Sequence, residues 1–175
     1  MEKPPVVDAS EWLRSVVASY EGALVRYAAR ITGDMERARD VVQDTFLRLC
    51  EQDREQLNGR LAEWLYTVCR RRALDVQRKE HRMRATLPEE LEACCPVPAH
   101  DSVERAESHE AVLAAISRLP ENQQEVIRLK FQSGLSYREI AGVTGLSVTN
   151  VGYLLHVGLK AVREQFRQGS ESSDK

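Results

Sequence analysis

The side chains best suited to binding chemistry are a run of cations. Arg70, Arg71, Arg72, Arg78, Lys79 and Arg82 follow closely on Trp64 and Tyr66. Cationic groups hold phosphates and aromatic rings stack on unpaired bases, so the combination fits a nucleic-acid surface. A solvated amphipathic helix has the same composition, and charge alone does not separate the two. Bond-making chemistry has no comparable signature. Cys50, Cys69, Cys94 and Cys95 lack zinc spacing, and His81, His100, His109 and His156 form no ligand cluster. No nucleophile–base constellation is visible either, so catalytic residues, a metal and a cofactor are not expected. Cys50 and Cys69 fall in apolar helical patterns and are expected to be buried thiols.

A second candidate surface lies in 135–163, LSYREIAGVTGLSVTNVGYLLHVGLKAVR. Ser136 and Glu139 make an S-x-x-E capping box at the head of a short helix. Thr144-Gly145 breaks that helix, and Ser147 caps another with apolar residues at Val151, Leu155, Leu159, Val162 and Phe166. Helix, glycine-containing turn and capped helix is the form of a DNA-binding helix-turn-helix. A plain helical hairpin has the same form, so the rest of the chain must decide.

The elements that position these residues all carry the helical period. Asp8 or Ser10 caps a first helix to about Ile31, and Gly33-Asp34 ends it and caps a second over about 35–52. The second helix buries Ala38, Val41, Val42, Thr45, Phe46 and Leu49. Its other face carries Asp40, Asp44, Leu47 and Glu51 beside Gln43, either a solvated face or a dock for a basic partner. After the Asn58-Gly59 turn a third helix runs from near Arg60 to Met83, with Trp64, Leu65, Val68 and Ala73 inward. Residues 84–101 hold three prolines and an acidic cluster, which reads as a flexible linker. Beyond it Ser102 caps a helix to about Arg118. Leu119-Pro120 restarts the chain, and Val126, Ile127 and Phe131 face inward ahead of Gly134. The tail from Gln168 reads as polar and unstructured. No segment reads as a strand. The expectation is an all-α protein of two small helical domains, 8–83 and 102–168, joined by the linker.

At 175 residues, 42% hydrophobic and 30% charged, the chain has the composition of a globular protein. No apolar run approaches the roughly 20 residues of a membrane span. The first residues, MEKPPVVDAS, lack a signal-peptide core, so a cytoplasmic location is expected. The net charge of −2 conceals a basic block: residues 60–84 carry 8 basic and 3 acidic side chains, against 1 and 7 in 85–110. Such a block suits a polyanionic partner.

Three stretches together resemble the sigma-70 family of bacterial RNA polymerase sigma factors, specifically the small extracytoplasmic-function (ECF) type. RDVVQDTFLRL (39–49) is similar to the helix that grips the polymerase clamp. WLYTVCRRRALDVQRK (64–79) is similar to the segment that melts and reads the minus-ten element. LPENQQEVIRLKF, opening 119–166, looks like the start of the module that reads the minus-thirty-five element. The resemblance implies a transcription initiation factor with core RNA polymerase and promoter DNA as partners, and an anti-sigma protein or other regulator as a further one. It assigns Asp40, Gln43, Asp44 and Leu47 to the core polymerase contact. Trp64, Arg70, Arg71, Arg72, Arg78 and Lys79 fall to the minus-ten element, and Tyr137, Arg138, Thr149, Asn150, Tyr153 and Lys160 to the minus-thirty-five element. The chain departs from the family at Arg71, in the middle of RRR, and at Gly152, Leu154, Val157 and Leu159, where members commonly carry lysine or arginine. With these four uncharged, the minus-thirty-five contact is expected to be weak, or the exposed apolar residues to serve a partner protein. The rival reading is a helix-turn-helix regulator that binds duplex DNA without polymerase.

Overall fold

The computed structural model describes residues 9–84 and 103–172, with side chains over 9–83 and 110–167. All regular structure among them is helical. The seven helices are α1 (Ala9–Thr32), α2 (Met35–Cys50), α3 (Leu61–Arg84), α4 (Val103–Ser117), α5 (Glu121–Phe131), α6 (Tyr137–Thr144) and α7 (Val148–Ser172). They fall into two compact units, one within Met1–Pro96 and one within Val97–Lys175. Cys94, Cys95, His100, the caps expected at Asp8 and Ser102, and almost all of the 84–101 stretch lie outside the described residues.

The first unit is a bundle of α1, α2 and α3. Asp34 stops free rotation of the chain between α1 and α2 by capping: its Oδ1 accepts the Arg37 N–H at 2.9 Å. That hydrogen bond, together with the Arg37 charge, holds the Asp34 carboxyl below its ordinary value. Leu24, Ala28, Ala38, Val41, Val42, Leu49, Leu65 and Ala73 fill the centre, each at most 2% exposed. Thr45 is also fully buried, its hydroxyl satisfied by donating to the Val41 carbonyl at 2.8 Å. Tyr27 and Tyr66 meet edge to face, with ring centroids 5.3 Å apart. Such a pair adds about 0.5–1.5 kcal/mol to the burial of its area. Tyr66 is thus a core residue, at 1% exposure, and not a base-stacking platform.

The two cysteines of this unit separate. Cys69 is buried, as its pattern implied, and burial pushes its thiol up to about 12 against a smaller opposing pull from Thr45. Cys50 is exposed. It is the last residue of α2, and the core position there is taken by its neighbour Leu49.

In the second unit α7 packs against α4, α5 and α6. Val126, Ile127, Leu129, Leu135, Ile140, Val143, Val151, Leu154 and Leu155 form its core. Phe131 was expected inward, but it is 63% exposed at the last position of α5, where the chain already turns toward Gly134. Leu159 and Val162 are half-buried, and Phe166 is exposed. The helix itself continues through 168–172, past the point where the composition suggested it would end. No single helix among the described residues is long and apolar enough to cross a membrane.

Candidate nucleic-acid interface

The turn between α6 and α7 is built locally. Ser136 Oγ accepts the Glu139 N–H, and the Glu139 carboxylate accepts the Ser136 N–H at 2.7 Å, so both halves of the capping box are made. Gly145 closes α6 at φ 77°, a left-handed conformation that only glycine enters without strain, while its N–H donates to Ala141 O. Ser147 Oγ then accepts the Asn150 N–H at 3.2 Å and starts α7. Only Gly145, Leu146 and Ser147 separate the helices, which meet at 103°. This is the angle and turn length of a DNA-binding helix-turn-helix.

The outward side of this motif is continuous. Tyr137 and Arg138 are exposed at the start of α6, and Val148, Thr149 and Asn150 are exposed on the first turn of α7. Thr149, Tyr153, His156 and Lys160 recur at helical spacing and are all exposed. Lys130 Nζ lies 5.5 Å from the centre of the Tyr137 ring and donates to Leu135 O, fixing a cation beside that aromatic. Lys160 is near Glu164 at 3.9 Å. His156 and Val148 were not singled out from the sequence, although the i, i+3, i+4 spacing from Thr149 was available as a signal.

The charge deficit expected along α7 has a structural reason. Leu154 is 6% exposed, and Gly152, Val157 and Leu159 are half-buried. These positions pack the helix against its neighbours, so they are not an outward apolar strip. The outward positions are different residues, and they are polar, aromatic or cationic.

In the first unit the α3 cations divide between an outward stripe and two flanks. Trp64, expected inward, instead shares the outward stripe with Arg71, Arg78 and Arg82, since seven residues bring a helix back to nearly the same side; the arginines are exposed and Trp64 is half-buried. Asp75 shares that stripe and lies 3.7 Å from Arg78. Arg70 is half-buried on one flank. Arg72 and Lys79 lie on the other flank, where with Arg37, Asp40, Val41, Val76, Glu80 and Met83 they line a groove of about 520 Å³ beside α2. Arg37 and Glu80 form an ion pair across it.

On α2, Asp40, Gln43 and Leu47 are exposed, Leu47 by 66%. Asp44 is half-buried, and it turns toward α3: Arg72 Nε lies 2.7 Å from its Oδ2, with Arg48 Nε 3.6 Å from the same oxygen. That oxygen is closed off from solvent, and its contacts are contacts of charge without an aligned hydrogen bond. Two residues expected to serve different partners therefore touch each other.

Comparison with known proteins follows the same division. The Sigma-70 region 2 family model matches residues 16–83, and the Sigma-70, region 4 model matches 109–162. The ECF RNA polymerase sigma factor SigL of Mycobacterium tuberculosis is 30% identical over 156 residues, covering 86% of each chain. The chain belongs to the ECF RNA polymerase sigma factors. It is a transcription initiation factor, and a helix-turn-helix regulator acting without polymerase is not favoured, because the region 2 match spans all three helices of the first bundle. SigE of Mycolicibacterium smegmatis is 27% identical over 164 residues, which are 90% of this sigma factor but 63% of SigE. The solved structure of the sigma factor RpoE with the anti-sigma factor NepR, from Bartonella quintana, shares the fold at a TM-score of 0.69. The two are 23% identical, and the match covers 88% of this sigma factor and 96% of RpoE.

Proposed function

We propose that this sigma factor engages core RNA polymerase through the outer face of α2, holds the opened minus-ten strand along α3, and reads the minus-thirty-five element with α6 and the first turns of α7. It acts in the cytoplasm, where polymerase and promoter are, and carries out no covalent chemistry. The observation that supports this reading best is the pairing, in one small bundle, of an exposed Asp40–Gln43–Leu47 face on α2 with the cationic outward stripe Arg71, Arg78 and Arg82 on α3.

Each surface has a distinct physical task. Asp40 and Asp44 attract a basic helix while Leu47 supplies apolar area to bury. On α3, Arg71, Arg78, Arg70, Arg72 and Lys79 hold backbone phosphates, and the half-buried Trp64 offers an edge to an unstacked base. In the second unit Tyr137 and Arg138 fix the helix-turn-helix on phosphates. Thr149, Asn150 and Tyr153 reach base edges from the N-terminal part of the recognition helix, with His156 and Lys160 next along the groove. An anti-sigma protein is the expected regulator, as NepR is for the RpoE of similar fold.

The deciding experiment is reconstituted transcription. The purified chain added to core polymerase is expected to give promoter-specific transcripts, and DNA binding without any association with core enzyme would overturn the proposal. Replacing Asp40 and Asp44 together by alanine is expected to weaken core binding with the α-helical signal unchanged. Unaltered core affinity would remove the α2 face from the interface.

A further inference from the structure

Asp44 and Arg72 are the point where the two proposed surfaces of the first unit meet. Asp44 belongs to the α2 face and Arg72 to the cations of α3, and they lie in ion-pair contact at 2.7 Å. Both side chains remain within reach of a partner, with 33% and 47% of their surface exposed. We propose that this pair is a reciprocal latch: in the free sigma factor Asp44 neutralises Arg72, and docking of a basic polymerase helix on α2 takes Asp44 and releases the guanidinium of Arg72 to a DNA phosphate. The inference rests on the assignment of α2 to polymerase and α3 to DNA.

Three features of the bundle suit such a device. A guanidinium paired with a carboxylate carries little net charge toward a phosphate, so the cation is present but discounted until its partner is drawn away. The two side chains are partly exposed although Asp44 Oδ2 itself is covered, and without an aligned hydrogen bond the pair is weak enough for a competing cation on the carboxylate to displace. The helices also stay together when it opens. Arg37 and Glu80 tie α2 to α3 separately, and Thr45, Val41 and Cys69 are buried in the same bundle. The change is therefore one of side-chain partners, with no unfolding. The neighbouring cations respond differently: Arg71 lies on the outward stripe, away from α2, and stays available in both states. Coupling of this kind is symmetric by linkage, so DNA on Arg72 must favour polymerase on Asp44 to the same extent.

The test is a double-substitution cycle with the full chain, using Asp44→Asn, Arg72→Gln and the two combined. Melting curves and helical content confirm folding of each variant. Against cognate core polymerase, Arg72→Gln removes the nearer of the two cations on Asp44, leaving Arg48 at 3.6 Å, and is expected to tighten binding about two- to fivefold, the range of an exposed pair. Asp44→Asn weakens binding, and the combined variant behaves like Asp44→Asn. Against a fluorescent single-stranded 20-mer of thymidine, Asp44→Asn is expected to tighten binding by a similar factor. Its salt dependence should steepen by about 0.7 in log–log slope, one additional phosphate contact. That gain must vanish when Arg72 is also replaced.

The outcomes separate the latch from the reading beneath it. If Asp44→Asn weakens core binding but Arg72→Gln leaves it unchanged or weaker, the polymerase assignment stands and the latch is overturned. If Asp44→Asn tightens DNA binding equally with and without Arg72, the effect is general charge removal, and the latch is again overturned. No response of core affinity to Asp44→Asn overturns both.

Discussion

Leu154 is the position at which placing a lysine, the charge expected there from the family resemblance, should do most harm. The side chain is 6% exposed, with Val151 and Leu155 buried on the same helix and α4, α5 and α6 packed around it. Leu154→Lys forfeits about 1.5–3 kcal/mol of apolar transfer energy. Desolvating part of an ammonium raises the total to about 3–5 kcal/mol, and the long stem limits the cost where it reaches water. Small domains have about 5 kcal/mol or little more to lose. In a unit of this size each kcal/mol lowers the melting temperature by about 4–8 °C, so a fall of roughly 15 °C or more is expected. The two units can be followed separately, because Trp12 and Trp64 both belong to the first. Tryptophan fluorescence should melt as in the parent chain, while far-ultraviolet circular dichroism gains an early transition from the second unit. A variant of undiminished stability, with tighter and more salt-sensitive binding to duplex DNA, would refute the placement of Leu154 in the core and restore it to the DNA-facing surface.

Gly152 and Gly158 of α7 should respond in opposite directions to substitution. A Cβ on Gly152 would lie 3.7 Å from the Tyr137 ring, an ordinary contact, so Gly152→Ala should stabilise the second unit by about 0.5–1 kcal/mol through helix propensity. A Cβ on Gly158 would come within 2.8 Å of Ile127 Cδ1, and that side chain is itself buried. Gly158→Ala should therefore lose the propensity gain, and Gly158→Val should cost about 1–3 kcal/mol by overpacking; thermal melts of the three variants check the order. Ser136→Ala breaks the capping box and should cost about 1 kcal/mol by denaturant titration, with Ser136→Asp losing much less. Peptide mapping after brief alkylation at pH 8 should find Cys50 labelled and Cys69 untouched until the chain is denatured. Because folding raises the Cys69 thiol, its contribution to stability is complete below its unfolded value near 9 and is lost as pH rises toward 12. A Cys69→Ala variant should show a shallower alkaline decline.

The caps and the turn were legible in the sequence because they depend on neighbours in the chain. Asp34, Ser136, Glu139, Gly145 and Ser147 each act within three or four residues, and each does what its type and position imply. The side of α7 that would be buried was only half legible. Its period marks the stripe Val151, Leu155 and Leu159, but a helix surrounded by three others buries a wider face, and Leu154 falls within the added width. Phe131 and Cys50 were misread for a different reason. Both sit at the last position of a helix, where the periodic pattern continues on paper and the packing partner has already ended. Tyr66 looked like part of a stacking surface because it adjoins the cations in sequence, although one residue along a helix turns a side chain by about 100°. The contact of Asp44 with Arg72 joins residues far apart in the chain. Nothing local could have announced it.

The motif formed by α6 and α7 keeps its supporting residues and the residues proposed to read DNA on separate sets of positions. Ile140, Val143, Val151, Leu154 and Leu155 hold the two helices in place, whereas Thr149, Asn150, Tyr153 and His156 contribute almost nothing to that packing. The exposed set can therefore be exchanged with little change in folding free energy. A lineage that duplicates such a gene, or an engineer who wants mutually insulated promoters, can explore new sequence preferences on these four positions while the scaffold that presents them stays constant.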